Sequence, residues 1–143
     1  MVSKSIEETN QIARSVLASL TPEAGTAAVI RLVGDLGSGK TTFVRALAHG
    51  LGVDATEVTS PTFVVMKSYR TTHNTWRRFI HIDAYRLSTT EDARILALDE
   101  ALSDPHTIIC IEWPEHLKVV VPQKTTTLLF TFIDETTRKI EVQ

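Results

Sequence analysis

The chain has 143 residues, of which 43% are hydrophobic and 22% are charged, and its formal net charge is −2. This size and balance predict one globular domain, residues 1–143, with a substantial apolar core. The small net charge excludes a protein that holds RNA or DNA by a strong basic field of its own. We therefore expect any nucleic acid to be held mainly by a partner.

The composition also bears on the cellular compartment. The single cysteine, Cys110, excludes a disulfide or a zinc framework within one chain, and its apolar surroundings predict burial in a strand. The N-terminus lacks a cationic region followed by an apolar core, and no apolar run approaches the roughly 20 residues that span a bilayer. The sequence therefore predicts a cytoplasmic protein that does not associate with membranes.

The first part of the chain predicts a helix followed by a buried strand. Apolar side chains recur at a helical period from Ser3 to Leu20, with Ser3 or Ser5 as the N-cap. The run from Ala27 to Val33 is apolar except for Arg31, which is typical of a strand buried on both faces in a parallel sheet. This strand leads directly into a glycine-rich stretch.

The glycine-rich stretch Gly34–Thr41 fits the P-loop pattern G-x-x-x-x-G-K-[ST]. Its glycines allow successive backbone N–H groups to approach nucleotide phosphates without an intervening Cβ. We expect Lys40 to reach the β- and γ-phosphates and Thr41 to place its hydroxyl on Mg²⁺. The helix that begins near Lys40 points its positive end at the anion. The residues predicted to bind the nucleotide are Gly37, Ser38, Gly39, Lys40, Thr41 and Thr42.

A second polar loop, Thr59–Phe63, is a candidate switch. Thr62 lies 22 residues after Lys40, and Ser60 lies close to it. In P-loop switch proteins, a threonine or serine in such a loop senses the γ-phosphate through Mg²⁺. The alternative is a proline turn that precedes a strand.

The remaining elements alternate in a way that predicts an α/β protein. The predicted elements are a hairpin at Phe63–Arg70 and Trp76–Asp83, a helix at Thr90–Leu102, an apolar strand at His106–Glu112, and a closing hairpin at Thr125–Ile133 and Lys139–Val142. We expect a three-layer P-loop NTPase-like fold with a central mixed, mostly parallel sheet and a C-terminal β-hairpin.

Two carboxylates stand at the ends of apolar strands, Asp83 and Glu112. Mg²⁺ held by Thr41 requires further oxygen ligands, or waters fixed by a carboxylate. Glu112 has the more apolar lead-in, so we assign it to the Mg²⁺ shell through a water molecule. Asp83 then orients or deprotonates the attacking water. The alternative is that either carboxylate is an ordinary strand-end residue or a helix cap.

Three further observations complete the site predictions. His81 lies two residues before Asp83 on the same strand face, which predicts a hydrogen-bonded pair rather than a metal site. Arg86 is a candidate for stabilising phosphate charge as an internal arginine finger, with a surface salt bridge as the alternative. The chain has no Asn-Lys-x-Asp stretch to read guanine, which favours ATP and Mg²⁺ as the cofactors.

Four blocks of the sequence resemble, in their order, those of the TsaE family: Gly34–Thr42, Thr59–Phe63, His81–Leu87 and Ile111–Glu115. The resemblance implies a small bacterial ATPase that acts with the TsaB and TsaD proteins. Together they form threonylcarbamoyladenosine at position 37 of tRNAs that read codons beginning with A. It also implies that TsaD transfers the threonylcarbamoyl group, that ATP hydrolysis supports turnover of the complex, and that tRNA is met only through that complex.

The resemblance also assigns roles to individual residues. Lys40 and Thr41 match the phosphate and Mg²⁺ positions, Glu112 matches the second Mg²⁺ position, and Asp83 matches an acidic residue important for hydrolysis. Thr9 resembles an N-terminal threonine that lies against the nucleotide. Two alternatives remain open, a P-loop small-molecule kinase and a nucleotide-gated binding protein that binds ATP but hardly hydrolyses it.

Overall fold

The computed structural model describes residues 1–54, 56–58, 66–85, 94–117, 122 and 125–143. The elements in chain order are β1 (Val2–Ser3), α1 (Ile6–Ser19), β2 (Ala28–Val33), α2 (Lys40–Gly50), β3 (Met66–Arg70), β4 (Arg78–Asp83), α3 (Arg94–Leu102), β5 (Thr107–Glu112), a short 3₁₀ helix (Pro114–His116), β6 (Thr125–Phe132) and β7 (Arg138–Val142). None of the helices in these ranges combines the length and the apolar content that crossing a bilayer requires.

The strands form one mixed sheet in the order β1-β7-β6-β2-β5-β4-β3. Its four central strands, β6, β2, β5 and β4, run parallel, whereas β3, β7 and β1 are added antiparallel at the two edges. The register pairs Leu32 and Asp83 with the same residue, Glu112. The predicted mixed sheet with a parallel centre and a C-terminal hairpin is confirmed, and the carboxyl ends of β2, β4 and β5 meet at one edge.

Helices cover both faces of the sheet, which confirms the predicted three layers. On one face, side chains of α1 and α2 pack with side chains of the central strands in one apolar cluster, to which α2 contributes Phe43 and Leu47. On the other face α3 contributes Leu98 to a second cluster. Strand β5 supplies Cys110 to the first cluster and Ile109 to the second, as expected for a strand buried on both faces.

The buried cysteine behaves as part of the core. Cys110 has no exposed surface, and burial raises the pKa of its thiol well above the usual value. The prediction that Cys110 lies buried in a strand is therefore confirmed.

The N-terminal helix begins later than the sequence pattern predicts. Ser5 is its N-cap, because the side chain of Ser5 accepts a hydrogen bond from the backbone N–H of Glu8 at 3.1 Å. Residues Val2 and Ser3, which precede the cap, instead form β1 and pair with β7. The predicted helix is confirmed with Ser5 as its N-cap, one of the two predicted caps, whereas Ser3 lies in an edge strand because its backbone pairs with the far end of the chain.

Candidate functional site

The glycine-rich loop connects the carboxyl end of β2 to the start of α2. Gly34 has a φ of +151°, and a Cβ at this position would clash with the carbonyl oxygen of Phe130. Gly39 precedes α2 in the left-handed region, with a φ of 101°. Only glycine adopts both conformations at little cost, so these two positions of the loop require glycine.

Lys40 is the first residue of α2, and its ammonium group lies inside the turn of the loop. Its Nζ donates to the carbonyl oxygens of Gly34 at 2.6 Å and Asp35 at 2.8 Å. It also lies 4.2 Å from the centre of the Trp113 ring, in the arrangement of a cation–π contact. The residue is only 4% exposed. The loop therefore surrounds a buried cation.

The environment of Lys40 acts on its charge in two opposing ways. Burial lowers the pKa of Lys40, because removal from water disfavours the charged form. The carboxylates of Glu112 and, to a smaller extent, Asp83 oppose this change. The two strand-end carboxylates thus both favour the charged form of Lys40, and Glu112 has the larger effect.

Thr41 and Glu112 are brought together from positions far apart in the chain. The Thr41 hydroxyl lies 3.2 and 3.3 Å from the two carboxylate oxygens of Glu112 and donates a hydrogen bond shared between them. Glu112 is only 3% exposed at the end of β5. A hydroxyl and a carboxylate at this distance are hard oxygen donors of the kind that Mg²⁺ selects.

Asp83 occupies the matching position on the neighbouring strand. It is the register partner of Glu112 across the parallel pair β4–β5, and it is partly exposed. Its Oδ1 accepts a hydrogen bond from the backbone N–H of Tyr85 at 3.0 Å. Asp83 thus turns the chain at the strand end while its carboxylate stays open to water.

The predicted hydrogen-bonded pair of His81 and Asp83 is wrong. The Nε2 of His81 lies 2.9 Å from Oε1 of Glu112, and its Nδ1 has no hydrogen-bond partner among the residues that the structure describes. Parallel pairing places His81 beside the strand that ends in Glu112, and Asp83 instead bonds to Tyr85. The register of the two strands makes His81 a diagonal neighbour of Glu112, and the sequence alone carries no signal of that register.

A cavity of about 260 Å³ lies next to the loop. It is lined by the N-terminal segment, the start of α2 and the β6–β7 hairpin, including Thr9, Gly39, Thr42 and Arg138. The hydroxyl of Thr9 forms a 2.7 Å hydrogen bond with that of Ser3. The structure thus brings Thr9 and Thr42 to one cavity, and their contact with a nucleotide stays a prediction.

The other predicted loop residues have different outcomes. Ser38 is fully buried in the loop, and its hydroxyl has no hydrogen-bond partner in the described part of the chain. Gly37 lies beside it in the same turn. The switch candidates Ser60 and Thr62, and the arginine-finger candidate Arg86, lie outside the described residues.

Comparison with known proteins relates this geometry to a family. Residues 3–140 match the family model described as threonylcarbamoyl adenosine biosynthesis protein TsaE. The chain belongs to the TsaE family. The resemblance inferred from the four sequence blocks is therefore confirmed.

Individual relatives agree with the TsaE assignment. A Rickettsia bellii protein, named tRNA threonylcarbamoyladenosine biosynthesis protein TsaE, is 39% identical over 81% of this chain and 74% of its own length. A Borreliella burgdorferi protein of the same name is 40% identical over 64% of each chain. The chain thus spans just under two thirds of the Borreliella relative.

A solved structure supports the same assignment at the level of the fold. The crystal structure of Bacillus subtilis YdiB superposes with a TM-score of 0.73 at 28% sequence identity. The superposition covers 99% of this chain and 82% of the YdiB chain. The TsaE family and a shared α/β fold are therefore both supported.

Proposed function

We propose that this protein is an ATPase of tRNA threonylcarbamoyladenosine biosynthesis, which binds ATP with Mg²⁺ and hydrolyses it to support turnover of a TsaB–TsaD complex. The observation that carries the proposal is the contact of Thr41 with Glu112 at 3.2 Å, next in the chain to the buried Lys40, whose charge the Glu112 carboxylate favours. The names of the relatives add the link to tRNA modification.

The glycine-rich loop has the groups that a triphosphate requires. The hydrogen bonds of the Lys40 ammonium that the structure describes go to two loop carbonyls, so phosphate oxygens can replace these carbonyls as partners. The hydroxyl of Ser38 is buried and has no partner among the described residues, which is costly unless a ligand accepts its hydrogen bond. The first backbone N–H groups of α2 add a positive dipole at the same place.

Thr41 and Glu112 are the residues that would hold Mg²⁺, Thr41 through its hydroxyl and Glu112 through a water molecule. One or two protein oxygens together with phosphates and waters are the usual way in which Mg²⁺ is bound beside a nucleotide. When bound, the ion would neutralise charge on the phosphates. Lys40 would add a second positive charge on the β- and γ-phosphates.

The cavity beside the loop suits the nucleoside part of ATP. Thr9, Gly39, Thr42 and Arg138 line it, and Gly39 belongs to the loop itself. Its volume of about 260 Å³ leaves room for a base.

Asp83 is the group proposed to orient or deprotonate the attacking water. Its hydrogen bond to the Tyr85 backbone fixes the carboxylate at the strand end, and its partial exposure allows a water molecule to approach. Weak hydrolysis by the isolated protein is expected, with stimulation by TsaB and TsaD in the cytoplasm. The tRNA would be bound through the complex, in keeping with the small net charge of this chain.

The proposal is tested by reconstitution. The protein is mixed with TsaB, TsaD, unmodified tRNA and threonylcarbamoyl-adenylate, with and without ATP, and modified nucleoside is counted per TsaD. We expect formation well beyond one equivalent only when ATP and this protein are both present, and no stimulation by Lys40→Ala. Equal yield without ATP, or with the Lys40→Ala variant, would contradict the proposed function.

A further inference from the structure

We propose that His81 is a positioning residue that holds Oε1 of Glu112 in place, so that Oε2 remains available to the metal shell. This inference rests on the proposed function, because it presumes that Glu112 serves Mg²⁺. It assigns a role to a buried histidine that is not itself proposed to contact the nucleotide or the metal.

The contacts of Glu112 differ between its two oxygens. Oε1 lies 2.9 Å from Nε2 of His81 and 3.2 Å from the hydroxyl of Thr41. Within the described ranges, the hydrogen-bond contact of Oε2 is with Thr41, at 3.3 Å. Thr41 is itself a proposed metal ligand, so its bond to Glu112 is the one that metal binding would alter. The His81 bond is the contact that persists.

The surroundings of His81 make this contact rigid. The side chain has no exposed surface and lies in the middle of the β4–β5 pair, where Cys110 is its register partner. Rotation of the imidazole would make it clash with closely packed core side chains, which is costly. His81 therefore has one position, and Glu112 is held relative to it.

The geometry also selects a tautomer. A bare Nε2 would direct its lone pair at a carboxylate oxygen 2.9 Å away, so Nε2 must carry the proton and donate to Oε1. Nδ1 is buried without a partner among the described residues, and an unprotonated nitrogen avoids leaving a buried N–H unpaired. The arrangement therefore predicts a proton on Nε2 of His81.

Two substitutions separate positioning from general stability. In His81→Gln the amide nitrogen lies near the place of Nε2 and can still donate to Glu112, whereas in His81→Asn it lies near the place of Nδ1 and falls short. The measurement is ATP affinity by calorimetry as a function of Mg²⁺ concentration. Unfolding midpoints and ATP affinity in EDTA are recorded as controls.

We expect His81→Gln to keep the wild-type Mg²⁺ dependence. In His81→Asn, half-maximal enhancement of ATP binding should require about 10- to 100-fold more Mg²⁺, the usual cost of losing a group that orients a metal ligand, while affinity in EDTA stays the same. Wild-type Mg²⁺ dependence in His81→Asn would overturn the inference. An equal loss of ATP affinity with Mg²⁺ and in EDTA would overturn it as well.

Glu112→Gln distinguishes this inference from the proposed function. A shifted Mg²⁺ dependence in Glu112→Gln together with an unchanged one in His81→Asn would reject His81 alone. Wild-type behaviour of Glu112→Gln would reject the metal assignment of Glu112 and the role of His81 with it.

A measurement on the unaltered protein covers the case in which His81→Asn does not fold. Long-range ¹H–¹⁵N correlation spectra of the full chain report which imidazole nitrogen carries the proton. We expect the Nε2–H form for His81, both free and with ATP and Mg²⁺. A proton on Nδ1 together with an unprotonated Nε2 would remove the hydrogen bond to Glu112 and overturn the inference.

Discussion

The ends of strands β4 and β5 carry equivalent carboxylates in contrasting environments. Asp83 and Glu112 are register partners on adjacent parallel strands. Glu112 is 3% exposed and contacts Thr41 and His81, whereas Asp83 is partly exposed and bonds to the backbone of Tyr85. A buried, fixed carboxylate suits a metal shell, and an open one suits a reaction with water. One step across the sheet thus separates two carboxylate environments.

The largest effect is expected from the open carboxylate. Asp83→Asn should lower the rate of ATP hydrolysis by about 10²- to 10⁴-fold, the range of general base catalysis, and leave ATP affinity unchanged. The asparagine oxygen can still accept from the Tyr85 N–H, so the unfolding midpoint should also stay constant. Single-turnover hydrolysis and calorimetry measure the two quantities, and full turnover by this variant would exclude Asp83 from the reaction.

The next effect concerns the cation that both carboxylates face. Lys40→Ala should weaken ATP binding by about 100-fold or more, because two charge-assisted hydrogen bonds to phosphate are lost. The matched control is Lys67→Ala, which removes a lysine of the same charge from the edge strand β3. Near-wild-type ATP affinity of Lys40→Ala in calorimetry would contradict the proposed role of the loop.

A smaller effect, on the Mg²⁺ requirement, is expected from substitution of the buried carboxylate. Glu112→Gln should raise the Mg²⁺ concentration needed for half-maximal hydrolysis by about 10- to 100-fold, since a neutral amide fixes the metal shell less well. Asp83→Asn is the paired control and should keep the wild-type Mg²⁺ requirement in its residual activity. Identical Mg²⁺ titrations for Glu112→Gln and wild type would contradict a role for Glu112 in the metal shell.

The smallest effect is on stability without nucleotide. Glu112→Ala leaves the N–H of His81 buried without its partner and should cost about 1–3 kcal/mol. Asp83→Ala removes one hydrogen bond at a partly exposed turn and should cost only about 0.5–1 kcal/mol. Urea unfolding measures both, and a larger loss in Asp83→Ala would reverse the comparison.

The sequence predicts most of the fold because local signals and global packing agree. The helical period of α1, the continuous apolar run of β5 and the glycine pattern before α2 each identify an element without knowledge of its neighbours. Strand β1 escapes prediction because two residues carry no periodicity. It exists only because Val2 and Ser3 pair with Lys139 and Arg138 at the far end of the chain.

The site is predicted more completely as a set of residues than as a set of contacts. The motif pattern identifies Lys40 and Thr41, and the strand ends identify Asp83 and Glu112. The partner of His81 was predicted wrongly because nearness in sequence favoured Asp83, whereas the register between two strands, which sequence alone does not reveal, favours Glu112. The arrangement of Thr9 beside Thr42 likewise depends on tertiary packing of α1 against α2.

The most direct test is a crystal structure with a non-hydrolysable ATP analogue and Mn²⁺, which anomalous scattering locates in place of Mg²⁺. We predict the triphosphate within the turn of residues 34–41 and an anomalous peak beside the Thr41 hydroxyl, with Glu112 in its shell. A loop without phosphates, or a metal remote from Thr41 and Glu112, would contradict the account.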